Sequence, residues 1–258
     1  MARLWTRWSE QLRERSATDL VSIEPRAEED KEAENPHGSR ILNRSRRRSR
    51  PAGVDTIGSM APSTLDAVRA SFEEARDTLS ACLADPNNLA AVERFADAAA
   101  ATLDRGGLLM SCGNGGSMCD AMHFAEEWTG RFRGNRTALA AVAFSDPSHL
   151  TCIANDFGYE EVFAREVEAY GKEGDLLVAI STSGNSPNVQ RACEVARERG
   201  ITIVGLLGKG GGKMIDMVDI PIIVPNATTS DRIQEVHIKV LHIAIEAVER
   251  RMFPENYA

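Results

Sequence analysis

Five short apolar runs, each bounded by turn-forming residues and separated by stretches long enough for a helix, constrain this chain more than any other feature. They are LLMSC at 108–112, LAAVAF at 139–144, DLLVAIS at 175–181, ITIVGLL at 201–207 and IPIIVP at 220–225. Runs that are apolar throughout, with no polar alternation, suit parallel strands covered on both faces. The expectation is an α/β fold of three layers around a five-stranded parallel sheet. Two helices should precede the sheet: Leu65, Val68, Phe72, Ala75 and Leu79 recur on one helical stripe, and a second helical stretch follows the DPNN turn at Asp85–Asn88. A long helix from Asp231 to about Met252 should close the chain. Its apolar positions, Ile233, Val236, Val240, Ile243 and Val248 among them, exceed what one stripe needs, so part of it should pack on another subunit.

Residues 1–60 are of a different character. They hold 12 Lys and Arg against 10 Asp and Glu, in an acidic patch and a basic cluster, whereas the remaining residues carry 18 against 28. Such a segment cannot build a core and reads as a disordered extension, with residues 61–258 forming the domain. Leu4, Trp5, Trp8 and Leu12 could line one face of a short helix within it. The acidity of the domain argues against nonspecific nucleic-acid binding. Five cysteines, an odd number with no CxxC pair, read as reduced buried thiols of a cytoplasmic protein. No apolar run approaches the roughly 20 residues of a membrane span, so no membrane partner is expected.

Two polar loops fall at strand ends. Cys112-Gly113-Asn114-Gly115-Gly116-Ser117 follows the first strand and leads into a helix. Glycines there let backbone N–H groups close around an anion, and the helix start adds its dipole, which makes phosphate the natural ligand. A ligand-free tight turn would use the same glycines. Ser181-Thr182-Ser183-Gly184-Asn185-Ser186 follows the third strand and crowds hydroxyl and amide groups where open α/β sheets bind ligands. Ser186 before Pro187 could equally be a helix cap. The stretch from Gly208 to Lys213, GKGGGK, lacks the spacing of a nucleotide P-loop and reads as a flexible connection.

Reactive side chains sit on two helices. His123 and Glu127, four apart, share one face and could bind a divalent metal or exchange protons, although surface pairs of this spacing are common. On the closing helix Gln234 and His242 lie about 80° apart around the axis at roughly 100° per residue, and His237 lies about 140° from His242.

In combination, SCGNGGSMCDAMHFAEE, CIANDFGYEEVF, STSGNSPNV, GKGGGKM and DRIQEVHIKVLHI resemble the phosphoheptose isomerases of the sugar isomerase (SIS) superfamily. The likeness runs from about Pro62 to Met252. It implies a homotetramer with active sites shared between subunits. The implied reaction converts a phosphorylated seven-carbon sugar, sedoheptulose 7-phosphate, to D-glycero-D-manno-heptose 7-phosphate through an enediol. By family pattern the substrate is met by Asn114, Gly115, Gly116, Ser117, Glu127, Asn155, Asp156, Ser181, Thr182, Ser183, Ser186 and Gln234. The same pattern makes His123, Glu127, Gln234 and His242 ligands of one zinc per subunit, and Glu127 and His242 the acid/base pair. The chain departs from the family in its N-terminal extension and around Asn226–Ser230.

Other readings are a catalytically silent SIS adaptor of the initiator-associating type, a sugar-sensing regulator, or an isomerase of another phosphosugar. The adaptor lacks the Glu and His that stand here as Glu127 and His242. A regulator would bring a helix-turn-helix domain that residues 1–60 cannot supply.

Overall fold

A computed structural model of the chain describes residues 63–258. Helix α1 (Thr64–Ala84) starts in a capping box: the Ser63 hydroxyl accepts from the Asp66 N–H, and the Asp66 carboxylate accepts from the Ser63 N–H. Asp85 ends α1 and caps α2 (Pro86–Asp104), whose Pro86 occupies the first turn where no N–H is needed. Then come β1 (Leu109–Gly113), α3 (Gly116–Thr129), β2 (Ala141–Ala143), α4 (Pro147–Asp156), a 3₁₀ turn at Tyr159–Glu161 and α5 (Ala164–Tyr170). The chain continues through β3 (Leu176–Ser181), α6 (Pro187–Glu198), β4 (Thr202–Leu207), a 3₁₀ segment at Lys209–Asp216, β5 (Ile220–Ile223) and α7 (Ser230–Met252). A last turn at Pro254–Tyr257 follows. All five expected strands form, with edges displaced by one or two residues.

The sheet is parallel throughout, in the order β2-β1-β3-β4-β5. Alternate residues of β3 face opposite layers. Leu176, Val178 and Ile180 join Phe95, Phe124, Trp128 and Ile233 on the side of α2, α3 and α7. Leu177 and Ala179 join Phe144, Phe163, Val189 and Ile203 on the side of α4, α5 and α6. Burial on both sides explains why the strands read as unbroken apolar runs.

The chain leaves β1 for one edge of the sheet and returns to place β3 on its other side. The crossovers therefore diverge between β1 and β3, and a crevice opens at their carboxyl ends. Both polar loops sit there.

The α1 helix forms as its stripe indicated, but Leu65, Val68, Phe72 and Leu79 are exposed, and among the α1 residues only Thr78 and Cys82 are buried. Two expectations need revision. Cys82, Cys112 and Cys193 are buried, but Cys119 and Cys152 are exposed; all five thiols are free. GKGGGK is a built turn, with Gly210, Gly211 and Gly212 all at positive φ. Met214 N–H donates to Gly184 O and Lys213 N–H to Asn185 Oδ1, so the segment braces the loop after β3. The expected extension at residues 1–60 lies outside the described residues. Among those described, no helix is long and apolar enough to cross a membrane.

Candidate active site

The first wall is the β1–α3 loop. Gly115 adopts φ 56°, and α3 begins at Gly116; Ser117 N–H turns back to Asn114 O and Met118 N–H to Gly115 O, so the loop closes tightly and sets the positive end of the α3 dipole at the strand end. A Cβ on Gly116 would lie 2.6 Å from the Gln234 Oε1, so the Gln234 amide rests in the space that this glycine leaves open. Gln234 Nε2 also lies 3.5 Å from the Ser117 Oγ. Asn114 is held by a reciprocal pair with Asn188, 2.9 and 2.8 Å, and by the Tyr159 hydroxyl donating to its Oδ1 at 3.0 Å. With its side-chain oxygen so engaged and its carbonyl accepting from Ser117 N–H, Asn114 has one amide proton left for a ligand.

The second wall is the β3–α6 loop. Ser181 Oγ and Ser186 Oγ are 3.0 Å apart, and Gly184 N–H donates to Ser181 Oγ. Ser186 is the N-cap residue of α6 with Pro187 in the first turn, as the sequence allowed, but its side chain makes no cap hydrogen bond and turns to Ser181 instead. Thr182 Oγ1 is 3.2 Å from Ser230 Oγ, so the first residue of α7 is fastened to this loop, and the approach through Asn226–Ser230 is fixed there. Ser183 Oγ accepts from the Asn185 N–H. Asn155 and Asp156, at the end of α4, are exposed and paired with each other at 2.7 Å. Tyr159 ties the segment just after them to Asn114.

The reactive groups meet between α3 and α7. His123 Nε2 lies 3.1 Å from Glu127 Oε1, and the His123 and His242 rings meet edge to face with centroids 4.9 Å apart. One donor atom from each of His123, Glu127 and His242 lies within 4.8 Å of the other two. Tetrahedral zinc at about 2.05 Å from its ligands sets them about 3.3 Å apart, so small rotations would close this triad on a metal. Two imidazoles and a carboxylate are borderline donors that suit such an ion. Gln234 lies eight residues before His242, about 12 Å back along the helix axis. Its amide stands on the β1–α3 loop, against Gly116 and Ser117. His242 is partly buried, and burial, then the neighbouring His123, lowers its pKa, against an opposing pull from Glu127. It is therefore neutral near pH 7 and able to accept a proton or a metal. Asp120, one turn before His123, is raised to about 6 by burial, with His123 opposing.

A family model for the SIS domain matches residues 72–208. The chain is 54% identical over 187 residues to phosphoheptose isomerases from Proteus mirabilis and Edwardsiella ictaluri, covering 72% of this chain and 97% of each relative. The chain belongs to the phosphoheptose isomerase family. Solved structures agree: phosphoheptose isomerase GmhA from Neisseria gonorrhoeae has a TM-score of 0.68 and 38% identity across 72% of this chain and 99% of its own. That from Francisella tularensis has a TM-score of 0.69 and 31% identity across 73% and 100%.

Membership in the phosphoheptose isomerase family accounts for the motif order, but two site residues escaped the sequence reading. Asn188 and Tyr159 hold Asn114, and their signal was weak: polar residues within motifs already assigned to other roles. His237 is the opposite case. It is fully buried, its Nε2–H donating to Leu207 O at 3.1 Å, and it points away from the triad as its helical angle indicated.

Proposed function

We propose that the chain isomerises sedoheptulose 7-phosphate to D-glycero-D-manno-heptose 7-phosphate, the first step of nucleotide-activated heptose biosynthesis. The observation that carries this reading is that one chain holds both two anion-suited loops, at Asn114–Ser117 and Ser181–Ser186, and the His123–Glu127–His242 triad. The loops take the phosphate, and the triad takes the other end of the sugar.

The reaction moves a proton from C1 to C2 while the carbonyl moves the opposite way. Glu127, half withdrawn from water, removes the C1 proton and gives an enediol; the same carboxyl returns a proton at C2. His242, neutral at the working pH, relays protons between the two sugar oxygens. Gln234 and Ser117 orient the chain of hydroxyls between phosphate and reacting carbons, and Asn155 and Asp156 bound the open side. His123, Glu127 and His242 would hold one zinc per subunit. Zinc would supply electrophilic polarisation of the carbonyl oxygen.

The chain acts as a homotetramer in this reading, with sites completed between subunits. The exposed α1 stripe and the family resemblance support it. Running the reaction in deuterium oxide tests the proton path: solvent deuterium should appear at C2 of the aldose. Transfer without any exchange would rule out Glu127 as a base in contact with solvent protons and favour a direct hydride shift.

A further inference from the structure

The guanidinium of Arg136 and the carboxylate of Glu249 form an ion pair at 2.6 Å in which both side chains are fully buried. Such a pair is poor value for stability alone, because desolvation offsets the attraction. Its geometry suggests another purpose. Arg136 NH2 donates to the backbone oxygen of Glu127 at 2.6 Å, and NH1 donates to the Trp128 O at 2.8 Å. These are carbonyls of the last turn of α3, where helical partners run out and a cation complements the dipole. Glu249 lies on α7, two turns beyond His242. One planar group thus fixes the ends of both helices whose side chains face each other in the triad.

The chain terminus seals this latch. The Tyr257 hydroxyl donates to Glu249 Oε2 at 3.0 Å, and Asn256 packs so tightly on Gly134 that a Cβ there would lie 2.3 Å from its side chain. The guanidinium lies 5.9 Å from the Trp128 ring centre and 5.8 Å from that of Phe253. A lysine could keep the charge but could not address two carbonyls and a carboxylate from one plane.

We infer that Arg136, clamped by Glu249 and Tyr257, is a positioning residue that sets Glu127 against His242. This rests on the isomerase reading of the triad. The phosphate loops lie at the opposite end of α3, so substrate affinity should be spared.

The test compares wild type, Arg136→Lys and the charge-free double variant Arg136→Met with Glu249→Leu, in the full chain. Turnover of sedoheptulose 7-phosphate and visible-absorption titration with Co²⁺ are read side by side. In variants that retain wild-type circular dichroism, kcat should fall about 10- to 100-fold with KM within about threefold. Co²⁺ should bind about tenfold more weakly. A folded variant with kcat and Co²⁺ affinity within about twofold of wild type would overturn the inference. So would loss of the folded state in both variants, which would make the pair a folding element. A wild type that binds Co²⁺ without turnover would sink the isomerase reading while the cobalt comparison still decides the latch. A wild type that does neither sinks both.

Discussion

Replacing Glu127 by Gln keeps the shape of the cleft and removes the base. Turnover should fall by about 10²- to 10⁴-fold while equilibrium binding of the ketose phosphate survives; full activity in Glu127→Gln would remove the residue from the proton path. Two residues outside the site govern stability against pH. Burial lowers His237 to about 4, so the folded chain resists a proton that the unfolded chain takes up, and stability is lost as pH falls from about 6.5 toward 4. Burial, then Asp146, raises Glu166 to about 7, so stability is lost as pH rises from about 4.5 to 7. The two slopes oppose each other. Glu166→Gln should remove one of them, and urea unfolding should then show stability gaining about 2–3 kcal/mol relative to wild type between pH 4.5 and 6.5; a profile unchanged from wild type would mean Glu166 is ionised in the fold. His123 with Glu127 was legible as a helical spacing. Asn188, Tyr159 and Arg136 were not, because each acts through a partner distant in sequence and leaves no periodic trace.

The helices and strands were largely legible because burial on both sheet faces writes itself as continuous apolar runs. What failed was the reading of glycines. GKGGGK looked flexible, yet its positive-φ turn fills the space beside Gly184, where a Cβ would come within 1.9 Å of Gly211 O. That conflict, together with the positive φ of Gly184, predicts that Gly184→Ala strains the β3–α6 loop by about 1–3 kcal/mol. KM for the phosphosugar should rise while the pH dependence of kcat stays put; an unchanged KM would separate the loop from phosphate binding. The α1 stripe had the right period, and its exposed face shows what a period leaves open. Periodicity reports that a face is apolar and cannot say whether its own chain or another covers it.

Along α1, α2 and α7 a groove of about 520 Å³ is lined by Leu79, Leu83, Leu89, Val92, Val240 and Ile243. Leu83 is 66% exposed and Ile243 43%. A tetramer that covers this face should sediment at four times the 28.1 kDa of the chain, and Leu83→Asp should release smaller species with reduced turnover. A monomeric wild type of full activity would show that each site is complete within one chain. The crevice between β1 and β3, the two anion-suited loops and the triad together imply one chemistry, and its most direct test is turnover itself. Purified full-length protein is incubated with sedoheptulose 7-phosphate, with zinc present or after chelation, and the seven-carbon aldose phosphate is followed. Aldose should form with zinc and fall away after chelation; no aldose from the folded, zinc-replete protein would contradict the account.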